Sequence, residues 1–203
     1  MSHTRTMSTK VYPGSCHCGH IKYQIRLTLP PNDTIGFDAK SEGTRIYKCN
    51  CSTCHKMGMF HCRPNDPAND FIVTSPAKIE DVGEYRCVSE KIGWYFCKRC
   101  GVRTFGVGGE WVSEDIDVAK WSGKEDGNGE LQKVLRTTPV SDGATGYDGK
   151  RLHYVSTNGT TLDEIDLIDV HDQGWVYYIE NKHRKDGEHP QMRFKEPFKG
   201  GCY

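Results

Sequence analysis

Apolar positions along this chain recur mostly at a spacing of two. Ile21, Tyr23, Ile25 and Leu27 alternate with Lys22, Gln24 and Arg26, which is the period of a strand with one buried face. Arg45-Ile46-Tyr47-Lys48, Phe71-Ile72-Val73-Thr74, Ile92-Gly93-Trp94-Tyr95-Phe96, Leu152-His153-Tyr154-Val155 and Trp175-Val176-Tyr177-Tyr178-Ile179 read as further short strands, and 111–118 is compatible with another. Turn formers separate them: Pro30-Pro31-Asn32-Asp33 ends the first strand, and the glycine, prolines and asparagines between Met57 and Asp70 predict a loop. Thr161 and Glu164 have capping-box spacing ahead of Ile165, Leu167 and Ile168, predicting one short helix or turn. There is no internal repeat or heptad. The expected fold is mainly β, with small antiparallel sheets and little helix.

A chain of 203 residues can bury one real core. We expect a single domain over 13–180, preceded by a polar, flexible leader at 1–12 and followed by a charged, proline-interrupted C-terminal extension at 181–203. From 122 to 150 glycine, aspartate, serine and threonine dominate without periodicity, so this stretch reads as a polar insertion, either a lid or a plain surface loop.

Composition then narrows the chemistry. Apolar residues make up 35% of the chain and mean hydropathy is −0.68, so part of the folding free energy is expected to come from bound metal. Twenty-seven basic side chains balance 27 acidic ones, which argues against a nucleic-acid partner. No stretch approaches the roughly 18 apolar residues of a membrane span, and the leader has no secretory apolar run, so no membrane partner is expected and the expected location is cytoplasmic. There, thiols stay reduced and available to metal.

Seven of the ten cysteines fall in three clusters: Cys16-His17-Cys18, Cys49-Asn50-Cys51-Ser52-Thr53-Cys54 and Cys97-Lys98-Arg99-Cys100. Side chains two apart on a strand share a face, so a C-x-C offers two sulfurs to one ion, and a C-x-x-C does so through a turn. The natural partition is a closed, structural zinc on Cys16, Cys18, Cys97 and Cys100, with a second zinc on Cys49, Cys51 and Cys54 whose remaining position is open to water or a thiol. Spacing also permits a ribbon of Cys51, Cys54, Cys97 and Cys100, which strands Cys16, Cys18 and Cys49. Cys62, Cys87, His55 or His61 are the residues that would close the trio.

Gly14-Ser15-Cys16-His17-Cys18-Gly19 with Tyr23, the central cluster with Gly58, Phe96-Cys97-Lys98-Arg99-Cys100-Gly101, and Tyr154-Val155-Ser156-Thr157-Asn158-Gly159-Thr160-Thr161-Leu162-Asp163 together resemble the glutathione-dependent formaldehyde-activating enzymes and their relative, centromere protein V. The resemblance implies a β-tent fold and two zinc ions partitioned with four and three cysteines. It also implies a carbon–sulfur lyase reaction between glutathione, as co-substrate, and a small carbonyl compound. Lys56, Arg63 and Arg103 flank the clusters and are candidates to pair with the thiol's carboxylates, or are plain surface charges. His61 is a candidate proton shuttle. Trp94 and Tyr95 read as pocket lining or core, and His17 and His20 as exposed strand residues. The rival to an enzyme is a zinc-stabilised protein-interaction module without catalysis. The oligomeric state stays open, a homodimer included.

Overall fold

The computed structural model describes residues 6–31, 43–124, 127, 129–146, 149–183 and 192–201. In chain order these contain β1 (Ser8–Ser15), β2 (Lys22–Leu29), β3 (Arg45–Cys49), α1 (Ser52–Met57), β4 (Phe60–Arg63), β5 (Phe71–Ser75), β6 (Gly83–Arg86), β7 (Gly93–Phe96), β8 (Arg103–Gly108), β9 (Glu110–Asp117), α2 (Val118–Trp121), β10 (Leu131–Thr138), β11 (Tyr154–Asn158), α3 (Leu167–Asp172), β12 (Val176–Glu180) and β13 (Met192–Phe194). The fold is mainly β, as its alternating sequence predicts. A five-stranded sheet runs β1-β2-β5-β10-β9, and an eight-stranded sheet runs β13-β12-β3-β4-β11-β8-β7-β6. Pairing is antiparallel except between β3 and β12, which are parallel.

The core lies between the sheets. Tyr23, Ile25 and Leu27 of β2, with Phe71 and Val73 of β5, supply one side; Ile46 of β3, Phe60 and Cys62 of β4, Phe105 and Val107 of β8 and Val155 of β11 supply the other. Phe105 is the aromatic hinge of this interior, with ring centroids 5.7 Å from Tyr23, 5.3 Å from Phe71 and 5.5 Å from Tyr95, in edge-on and tilted arrangements that aromatic quadrupoles favour. Because side chains alternate along a strand, filling the inner face with Phe60 and Cys62 turns His61 and Arg63 to the outer face of the larger sheet.

Several expectations are corrected. The leader is not loose from Ser8 onward: Ser8 to Tyr12 pair with β2. His17 and His20 lie in the turn between β1 and β2, not in a strand. The stretch read as a polar insertion contains β10, which joins β9 to β5 in the smaller sheet. Its burial explains why periodicity hid it: Leu131, Gln132 and Lys133 are exposed while the adjacent Val134 and Leu135 are both buried, so no alternation appears. The loop expected over 57–70 includes β4. The predicted helix starts later, at Leu167, capped by the Asp166 carboxylate, while Thr161 ends a 3-10 turn and hydrogen-bonds Tyr23. Part of the C-terminal extension, β13, returns to pair with β12. No helix among the described residues is long and apolar enough to cross a membrane.

Candidate metal centres

The first centre is assembled from two turns of similar design. After β1, Cys16 receives the Gly19 N–H at its carbonyl and the Ile21 N–H at its sulfur, at 2.9 and 3.2 Å. After β7, Cys97 receives the Gly101 N–H at its carbonyl at 2.8 Å and the Arg99 N–H at its sulfur at 3.4 Å. Gly19 (φ 72°) and Gly101 (φ 75°) close these turns in the left-handed region, which costs glycine little. The Cys18 sulfur stands 3.7 Å from Cys16 and 3.6 Å from Cys97, and the four sulfurs of Cys16, Cys18, Cys97 and Cys100 all lie within 4.8 Å of one another. Zinc–sulfur bonds near 2.3 Å in a tetrahedron imply a sulfur–sulfur edge of about 3.8 Å, so this donor set fits zinc. Backbone N–H groups of Val102 and Cys18 pull the Cys100 thiol down to about 6, favouring the thiolate a metal needs.

The residues beside this centre have clear tasks. The Tyr23 ring lies across Gly14, where a Cβ would fall 2.3 Å from the ring, and its hydroxyl meets Thr161 Oγ1 at 2.7 Å. Leu162 bridges to Gly14, and the Asp163 N–H donates to the Pro13 carbonyl at 3.0 Å. The Leu-Asp pair thus fastens the chain after β11 to the strand that delivers Cys16.

The second centre is where β3 gives way to α1. Cys49 ends the strand, Cys51 is the N-cap of the helix and accepts the Cys54 N–H at its sulfur at 3.4 Å, and Gly58 (φ 63°) ends the helix. Their three sulfurs lie within 4.8 Å of one another, and among the described residues no fourth cysteine, histidine or carboxylate joins the group. Two thiols donating to one sulfur drive the Cys51 thiol far down, while those same hydrogen bonds raise Cys54 and hold Cys49 up at about 11. The shared hydrogen bonds thus favour the thiolate at Cys51 and the thiol at Cys49 and Cys54, whose protons a metal would displace. Asn50 anchors the loop: its Oδ1 accepts the N–H groups of Asn181 and Lys182 at 2.7 and 2.9 Å. Asn158 anchors the helix end, accepting the Phe60 N–H at 3.0 Å and donating to the carbonyls of Gly58 and Arg103 at 3.3 Å each.

Of the residues that might close the trio, Cys62 is buried on the opposite face of β4, its sulfur 3.1 Å from where a Gly159 Cβ would be. Cys87 packs near the trio and contacts Thr53 Oγ1 at 3.5 Å without entering the sulfur group. His55 is exposed on α1. His61 is the one that touches a ligand: its Nε2 lies 3.2 Å from Cys54 Sγ and its Nδ1 2.9 Å from Ser156 Oγ, with the Tyr154 hydroxyl at 3.4 Å. The ring is stacked on Tyr47 (4.4 Å, 12°) and met edge-on by Trp94 (6.0 Å). Full burial, reinforced by the nearby Arg63 cation, drops its basicity to about 3, so the imidazole is neutral. Toward a thiolate on Cys54, a neutral ring can only donate from Nε2, leaving Nδ1 to accept from Ser156.

The candidate cations separate. Arg63 lays its guanidinium over the Tyr154 ring at 4.4 Å, with a buried Nε that has no acceptor. Arg103 lies over Phe96 and Tyr85 at 5.2 and 5.8 Å, with Nη1 likewise unsatisfied. Lys56 is exposed on α1. Trp94 is buried with Cys49, Cys54 and Met59, whereas Tyr95 belongs to the intersheet core. Tyr47, Tyr154 and Ser156 were not singled out from sequence as site residues. Only the alternation of β3 and β11 hinted that they share a face, and nothing local told which face.

No family model matches the chain. A crystal structure of a Rhodobacter sphaeroides protein, from structural genomics, is similar at 16% identity and a TM-score of 0.40, over 78% of this chain and 94% of that one.

Proposed function

We propose that this chain is a zinc-dependent carbon–sulfur lyase acting on the adduct of glutathione, or another thiol, with a small carbonyl compound. The observation that carries the reading is the inequality of the two sulfur clusters, four ligands in one and three in the other. The residue pattern that resembles the glutathione-dependent formaldehyde-activating enzymes supports the choice of reaction. Zinc on the trio would stabilise an incoming thiol as thiolate near neutral pH. Cys49, Cys51 and Cys54 hold that ion, and His61 steadies Cys54 from behind. Trp94 is buried against Cys49 and Cys54, and Tyr47 packs beside them. In the synthetic direction sulfur bonds to the carbonyl carbon while the thiol proton ends on the carbonyl oxygen; in the lyase direction the carbon–sulfur bond breaks and the proton returns to sulfur. Arg63 and Arg103 are cations available to the thiol's carboxylates.

The test is metal content alongside adduct formation. Wild type should carry two zinc ions and accelerate formation of the hemithioacetal from glutathione and formaldehyde, followed by NMR. Cys51→Ser should carry one zinc, remain folded by circular dichroism and lose the acceleration. An inactive wild type with both zinc ions bound would leave the interaction-module reading in its place.

A further inference from the structure

The geometry points to Asn181 as the residue that holds Cys49 as a metal ligand, which makes the chain after β12 part of the second centre. The inference rests on the trio binding a metal and not on the reaction carried out there. β12 lies parallel to β3 with Ile179 beside Cys49, so the chain leaving β12 runs past the loop that carries the trio. Asn50, buried between Cys49 and Cys51, ties the two together. Its N–H donates to the Ile179 carbonyl at 3.2 Å, and its Oδ1 accepts the Asn181 and Lys182 N–H groups at 2.7 and 2.9 Å. Its Nδ2 donates to a Glu180 carboxylate oxygen at 2.7 Å and to the Gly200 carbonyl at 3.3 Å. The Asn181 backbone is thereby fixed, and its side-chain Nδ2 donates to the Cys49 sulfur at 3.4 Å.

The orientation of this amide suits a bound metal. Its Oδ1 is buried without a donor among the described residues, a cost that the contact at the other end of the amide must offset. A cysteine that ligates a metal is a thiolate, which accepts and cannot donate, so only the nitrogen end of the amide can meet it. Each sulfur of the trio then faces an N–H donor: the Cys54 N–H at Cys51, His61 Nε2 at Cys54 and Asn181 Nδ2 at Cys49. Three thiolates on one divalent ion leave an excess of negative charge. Donors placed behind the sulfurs draw on that charge, and groups in this position set both ligand orientation and metal affinity. Asn181 acts through Cys49, so it is a positioning residue. It lies in the charged C-terminal extension, outside the domain expected over 13–180, and the metal centre reaches past that boundary.

Chelator competition on the full-length protein loaded with two zinc ions, read beside 113Cd NMR of its cadmium form, tests this. Asn181→Leu keeps the size and the backbone N–H to Asn50 but has no side-chain donor. It should weaken one of the two sites about 10–100-fold and shift one of the two cadmium resonances, the one that Cys51→Ser removes. Asn181→Asp has the same shape but turns a negatively charged acceptor toward Cys49, and should weaken that site more than Asn181→Leu does. A purely structural asparagine predicts the reverse order, because the aspartate variant preserves shape and polarity. The resonance of the four-cysteine site should stay in place in both variants. Wild-type affinity with an unmoved trio resonance in Asn181→Leu, or Asn181→Asp binding as tightly as wild type, overturns the inference. A shift of both resonances would mark a general loosening and overturn it as well. A wild type that takes up a single cadmium ion also overturns it and removes the open-trio reading with it, whereas two ions with no response to Asn181 leave that reading intact.

Discussion

Gly14 is glycine because the Tyr23 ring occupies the place a Cβ would take, with the ring carbon 2.3 Å and the hydroxyl 2.5 Å from that point. Tyr23 cannot simply swing away, since its hydroxyl is fixed to Thr161 and its ring touches Phe71 and Phe105. Gly14→Ala should therefore lower stability by about 1–3 kcal/mol, the usual range for overpacking, in urea unfolding at constant zinc. A loss close to zero would mean the ring is looser than its contacts imply. His61 makes a different residue-scale prediction. Outer hydrogen bonds to metal ligands are typically worth about 10–100-fold in metal affinity. His61→Phe, which cannot donate to Cys54, should weaken one of the two zinc sites by that factor in a chelator competition. His61→Gln, which keeps an N–H donor, should recover part of it. Equal behaviour of the two variants would assign His61 to packing alone.

At the scale of elements, what was legible in sequence follows from what each strand faces. β2 buries Tyr23, Ile25 and Leu27 and exposes or half-exposes the residues between, so its period could be read directly. β4 and β10 could not, because both faces of β4 are covered, by core on one side and by the tyrosine–histidine network on the other, and β10 buries the adjacent Val134 and Leu135, which point to opposite faces. The cysteine clusters were visible through spacing alone, since turn geometry makes ligand sets local. The surroundings of the trio were not: Tyr47, His61 and Ser156 meet only because β3, β4 and β11 are neighbours in the sheet, with 95 positions of sequence between His61 and Ser156. Asn158 shows the same dependence, as one amide ties the end of α1 to β11 and β8. Asn158→Ala leaves buried backbone groups without partners and should cost about 1–3 kcal/mol. It should also speed amide exchange at Gly58 to Phe60 more than elsewhere in the larger sheet. Uniform acceleration would show a global loss with no special hold on the helix.

Over the whole molecule the first centre joins the turn between β1 and β2, in the smaller sheet, to the turn between β7 and β8, in the larger, so its ion would clamp the two layers while the trio holds only neighbouring elements. Acid acts on that framework through a further group. His61 is fully buried with its basicity lowered to about 3, against about 6.5 for an unfolded histidine. Above the unfolded value neither state binds the proton and His61 adds no pH dependence. As pH falls from 6.5 towards 3, the unfolded chain takes up a proton that the native state refuses, so stability is lost at up to about 1.4 kcal/mol per pH unit. His61→Gln has no such proton. Urea unfolding of both proteins between pH 7 and 5, with zinc chelated throughout so that ligand protonation does not enter through metal release, should show the wild type losing roughly 1–2 kcal/mol more than the variant across that interval. Parallel curves would mean that the imidazole can reach solvent or gain a proton in place, and the neutral Nε2–H donor to Cys54 would fall with it.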